Sequence, residues 1–90
     1  MNRKQFDGQT DELTEKQDRL NLVLYNDDVN TFEHVIESLI DVCHHTPEQA
    51  EQCALIVHHK GRYEVKSGTY KRLLPMKNSL TDRELTVSIE

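Results

Sequence analysis

Asn26-Asp27-Asp28 sets an amide oxygen and two carboxylates on consecutive residues, where an alternating apolar strand, Leu20 to Tyr25, gives way to an amphipathic helix, Asn30 to Cys43. Oxygens fixed at such a junction, beside the apolar residues that must enclose them, are chemically suited to hold a cation. A second half of the same site is expected in Val57-His58-His59-Lys60-Gly61. Each motif also has a plainer reading. Asn and Asp favour turns, and negative charge suits a helix N-terminus, so the triplet alone reads as a turn with helix-start acids. His58 alone reads as a partly buried histidine bonded to a backbone carbonyl.

Other chemistries find less support. No serine or cysteine sits in a nucleophile motif and no glycine-rich phosphate loop is present, so no catalytic residue is assigned and the chain is not expected to be an enzyme. His44-His45 and His58-His59 are adjacent pairs pointing to different helical faces, and neither matches a zinc spacing such as HExxH or CxxC. No metal ligand and no cofactor are assigned. Cys43 and Cys53 fall at apolar positions of two expected helices and read as reduced core residues.

The elements that must position these residues are legible from periodicity. Leu20, Leu22 and Leu24 alternate with Asn21, Val23 and Tyr25 as in a half-buried strand. Asn30 followed by Glu33 matches a capping box, and Phe32, Val35, Ile36, Leu39, Ile40 and Cys43 share one helical face. Thr46-Pro47-Glu48-Gln49 opens a second helix, with Thr46 as N-cap, Pro47 at the first position and Gln49 completing the box. Ala50, Cys53, Ala54 and Val57 form its buried face, and Gly61 stops it. Tyr63 to Lys66 reads as a short strand and Ser67-Gly68-Thr69 as a turn. A third helix carries Tyr70, Leu73, Leu74 and Leu80, with a kink or a late start near Leu74 expected from Pro75. Leu85, Val87 and Ile89 mark a last strand. The order β-α-α-β-α-β predicts a small α+β domain, a three-stranded, mostly antiparallel sheet covered by three helices on one face.

Ninety residues at 36% hydrophobic suffice for one small domain. That domain is expected over 20–90. Residues 1–19, with few large apolar groups among many charges, are expected to be a flexible polar tail. A net charge of -5 with dispersed lysines and arginines gives no basic stripe for nucleic acid. No apolar run approaches a membrane span and residues 1–19 lack a signal-peptide core, so a cytoplasmic location is expected. The chain is also expected to be a monomer.

The segment from Leu22 through Asn26-Asp27-Asp28 to Ile36, followed by Ala50 through Val57-His58-His59-Lys60-Gly61, resembles ClpS, the adaptor of ATP-dependent Clp proteases. The resemblance is strong over Leu20 to Gly61 and weaker from Arg62 onward. It implies an adaptor that binds N-degrons, substrate proteins that begin with a bulky hydrophobic residue, and delivers them to the N-terminal domain of a Clp AAA+ unfoldase. The residues agree with that chemistry. An α-ammonium has three donors and no acceptor, and Asn26, Asp27 and a neutral His58 would supply acceptors. The resemblance places Phe32, Val35, Ala54 and Val57 around the first side chain. Phe32 stands where many relatives carry methionine, Ala54 where they carry a larger apolar residue, and Lys71-Arg72 where they place an acid that meets the unfoldase. The alternative is a protein-interaction domain of the same fold without an α-amino-group pocket.

Overall fold

A computed structural model describes residues 19–90. The expected tail, apart from Arg19, lies outside the described residues. The elements are β1 (Leu20–Tyr25), α1 (Phe32–Cys43), α2 (Pro47–Lys60), β2 (Arg62–Gly68), α3 (Tyr70–Asp82) and β3 (Thr86–Ile89). The three strands form one antiparallel sheet in the order β2-β1-β3. This is the expected α+β arrangement. Leu22 and Leu24 of the central strand meet Leu39 and Cys43 of α1, Ala50, Cys53 and Val57 of α2, and Leu73 and Leu80 of α3 in a single core. Leu22, Leu39 and Leu80 are wholly buried, each stabilising the fold by about 1.5–3 kcal/mol relative to exposure. Val23 is also buried, on the opposite sheet face, where Tyr25 reaches along the strand to hydrogen-bond Glu90.

Register determines where the site can form. Tyr25, at the end of β1, pairs with Arg62, at the start of β2, and with Thr86, at the start of β3. The carboxyl end of β1 therefore meets the end of α2 on one side and the α3–β3 turn on the other. Asn26 N–H donates to Gly61 O at 2.9 Å, sealing the first of these junctions. Gly61 takes φ 92, a left-handed conformation that glycine adopts without a Cβ penalty, and its N–H closes α2 on Val57 O.

Several boundaries differ from the sequence reading. α1 is capped by Thr31, not Asn30: the Thr31 hydroxyl accepts from His34 N–H at 3.0 Å, and Asn30 is drawn into the preceding loop by Asp27. Phe32 is thereby the first helical residue and is 37% exposed, outside the core stripe. β2 extends through Ser67 and Gly68, because Asn21 and Leu20 pair with them. Its register with β1 shifts at a bulge around Val65, since Leu22 faces Lys66 while Val23 faces Glu64. α3 begins at Tyr70, capped by Thr69, and runs unbroken through Pro75 rather than starting late. An interior proline costs about 3 kcal/mol. Buried Leu73 and Leu80 flank it, each contributing about 1.5–3 kcal/mol, and the carbonyl it leaves without a helical partner belongs to solvent-exposed Lys71.

His45 secures the α1–α2 connection. Its Nε2 lies 2.8 Å from Val65 O in the β2 bulge, and its buried Nδ1 has no hydrogen-bond partner among the described residues. With Nε2–H donating to the carbonyl, Nδ1 is the deprotonated nitrogen of a neutral ring. Burial lowers the His45 pKa; the Val65 carbonyl pulls it up, but the neighbouring Lys66 ammonium pushes it further down, and the net shift is downward. The unfolded chain therefore takes up a proton that the folded chain refuses. Stability is full above the ordinary histidine value, about 6.5, and falls as pH drops from there toward the lowered folded value. Urea midpoints for the parent and His45→Gln are expected to diverge on acidification, with the parent losing more stability between pH 7.5 and pH 5.5; parallel loss would exclude His45 as the cause.

Candidate functional site

A cavity of about 480 Å³ opens at the carboxyl end of β1. Asn26, Asp27, Phe32, Val35, Ala54, Val57 and His58, the seven residues singled out from the sequence, all line it. Ala54 and Val57 are buried at 3% and 4% exposure and form the inner wall from α2. Val35 is half-buried on α1, and Phe32 stands at the mouth. Asn26 and His58 are exposed at the rim, one on the strand end and the other on the last turn of α2. The backbone bond from Asn26 to Gly61 is what brings these two sequence motifs to one opening.

The two aspartates hold different positions in this loop. Asp27 Oδ1 accepts from Val29 N–H and from Asn30 N–H, both at 2.9 Å, and Asp27 Oδ2 accepts from Asn30 Nδ2 at 2.9 Å. Burial pushes its carboxyl up, but these bonds from Asn30 and Val29 more than offset that and hold it below the ordinary aspartate value. Asp27 is thus ionised and already occupied as the organiser of its own turn. Asp28 lines the same cavity, is exposed, and meets no hydrogen-bond donor among the described residues. Its carboxylate is available to an incoming group.

The electrostatics favour a positive ligand. Two carboxylates stand at the opening, and α2 ends beside it; the negative end of its dipole is worth about 0.3–1 kcal/mol to an exposed cation, partly offset by Lys60 in the same turn. The interior differs: Leu24, Val35, Ala54, Val57 and Leu85 give it an apolar lining. A polar, anionic rim over a dry wall can receive a molecule with a cationic head and an apolar body. No three His, Cys, Asp or Glu side chains converge as metal ligands among the described residues. No helix among them is long and apolar enough to cross a membrane.

The sequence reading singled out the Asn26-Asp27-Asp28 triplet but assigned the amine to Asn26, Asp27 and His58, and it left Asn30 and Leu85 outside the site. Asp28 was visible beside Asp27, but nothing local distinguishes the carboxylate that turns back on the chain from the one that faces out. Asp27 followed by Asn30 is the spacing of a side-chain-to-backbone turn, a signal that competed with the capping reading of Asn30. Leu85 reaches the cavity because β3 begins beside Tyr25, a consequence of strand order.

Comparisons with known proteins bear on this site. A family model described as ATP-dependent Clp protease adaptor protein ClpS matches residues 15–88. The ATP-dependent Clp protease adapter protein ClpS of Neisseria meningitidis serogroup A is 39% identical over 77 residues, covering 80% of this chain and 73% of that protein. The E3 ubiquitin-protein ligase ubr-1 of Caenorhabditis elegans is 39% identical over 64 residues, 71% of this chain and 3% of that much larger protein. Among solved structures, Agrobacterium tumefaciens ClpS2 bound to L-phenylalaninamide superposes with a TM-score of 0.77 at 20% identity, over 82% of this chain and 96% of that one. At that identity the likeness is one of fold.

Proposed function

From the premise that the chain belongs to the ClpS family of ATP-dependent Clp protease adaptor proteins, we propose that its cavity captures the free N-terminus of proteins that begin with a bulky hydrophobic residue. It is an adaptor and not an enzyme. The observation that carries the reading is the meeting of Asn26, Asp28 and His58 at the rim of an apolar cavity. The Asn26 amide oxygen, the Asp28 carboxylate and a His58 nitrogen accept the three ammonium protons, with Asp27 shaping the loop and adding its charge. Phe32, Val35, Ala54 and Val57 enclose the first side chain. L-Phenylalaninamide, the ligand of the Agrobacterium protein, carries a free α-amino group and an amide in place of a carboxylate, and so has the chemistry of a first residue in a chain.

The energies suit a binder that must release its cargo. Each hydrogen bond to a charged group contributes about 1.5–3 kcal/mol, and burying a Leu or Phe side chain a similar amount. Lost freedom on association costs about 4 kcal/mol or more. With three such bonds the balance is at most about 8 kcal/mol, which sets micromolar as the tight limit of the affinity. Captured proteins then pass to the N-terminal domain of a Clp AAA+ unfoldase. Exposed Lys71 and Arg72, near the positive N-terminal end of α3, favour an acidic docking surface on that domain. Titration with short free-amine peptides that differ only in the first residue tests the capture step: Phe, Tyr, Trp and Leu peptides are expected to bind near micromolar and an Asp peptide not measurably. Equal affinity for the Asp peptide would refute the apolar pocket.

A further inference from the structure

Each of the three hydrogen-bond donors of Asn30 has an acceptor. Its backbone N–H donates to Asp27 Oδ1 at 2.9 Å, one side-chain N–H to Asp27 Oδ2 at 2.9 Å, and the other to Glu84 O at 2.9 Å, across 54 residues of chain. A carboxylate gripped on both oxygens is fixed in orientation as well as place. The third bond reaches the α3–β3 turn, where Glu84 takes a positive φ of 69. Such a conformation, uncommon for a residue with a Cβ, persists where the surroundings hold it. The adjacent carbonyl, Arg83 O, lies 2.9 Å from His34 Nε2 on the first turn of α1. Leu85 follows at once, buried at 4% and lining the cavity. Two consecutive carbonyls of the turn are thus tied to the two segments that frame the cavity mouth.

We infer that Asn30 is a positioning residue of the amine site, locking the Asp27-Asp28 loop to the α3–β3 turn so that the rim acceptors stand over the apolar wall. The inference rests on the amine-binding reading above. Asn30 lines the cavity, but its three donors are all spent within the protein. It acts through Asp27, whose orientation sets where the next residue, Asp28, presents its carboxylate. Because the far end of the clamp is Glu84 O, the geometry of the rim depends on a turn that no stretch of sequence near the motif contains.

The test compares the parent chain with Asn30→Ala and Asn30→Thr, using one Phe-initiated peptide with a free or an acetylated terminus, and follows the Asp27 carboxyl by carbon-detected NMR. Alanine keeps the backbone N–H but removes both side-chain donors. Free-peptide affinity is expected to fall about tenfold, and the Asp27 titration midpoint to move upward as it loses a donor. Threonine, with one hydroxyl donor, is expected to recover part of both effects, which general loosening of the fold would not do; thermal melts show whether each variant is folded. If Asn30→Ala unfolds, the threonine variant carries the same two readouts. Affinity within twofold of the parent, or an unmoved Asp27 midpoint, in a chain that still distinguishes free from acetylated peptide would overturn the positioning role alone. A parent chain indifferent to acetylation would overturn the amine site and this inference with it.

Discussion

Asn26→Ala combined with His58→Ala is expected to weaken binding of a free Phe-initiated peptide by at least about a hundredfold while leaving the fold intact. Two hydrogen bonds to a charged group are removed, each worth about 1.5–3 kcal/mol, and every 1.4 kcal/mol is tenfold in affinity. Neighbouring acceptors on one ligand are not additive, so the lower part of that range is the safer figure. The fold is spared for a structural reason. Asn26 holds the β1–α2 junction with its backbone N–H, which alanine retains, and both side chains are exposed. Calorimetric titration alongside a thermal melt checks both parts. Unchanged affinity in a folded double variant would remove these two residues from the site.

Asp27→Ala would be a poorer probe of the same chemistry. The carboxylate receives Val29 N–H, Asn30 N–H and Asn30 Nδ2, so its removal strands donors and loosens the loop, and lost binding would not separate contact from collapse. Asp28, exposed and outside that network, gives the cleaner test of charge at the rim.

Much of this architecture can be read from the chain, because the determinants are local. The alternation of Leu20, Leu22 and Leu24, the stripe through Leu39 and Cys43, and the Thr46-Pro47 start and Gly61 stop of α2 are each set within a few residues, and each appears where expected. Bringing Asn26 to His58 also follows from simple geometry, since an antiparallel β2 must begin where β1 ends. Where local signals compete, the reading slips. Asn30 and Thr31 are both good N-caps; the choice fell to Thr31 because Asp27 and Glu84 already engage Asn30. Pro75 argues against a continuous helix locally and is overruled by burial of Leu73 and Leu80, which only tertiary packing reveals. The clamp between Asn30 and Glu84 joins residues too far apart in sequence for any pattern to show.

The free α-amino group is the central claim, and acetylation tests it with the least disturbance, since the protein is unaltered and the peptide keeps its side chain. Acetylation removes the positive charge and two donors, adds bulk at the rim, and leaves Asn26, Asp28 and His58 facing a neutral amide. Loss of two or more charge-assisted bonds, at about 1.5–3 kcal/mol each, again places the expected effect at a hundredfold or more. Fluorescence anisotropy with one Phe-initiated peptide, free and acetylated, should give micromolar binding for the first and none measurable for the second at the same concentrations. Equal binding of the two would contradict the amine site and leave a cavity that recognises apolar side chains without regard to a chain terminus.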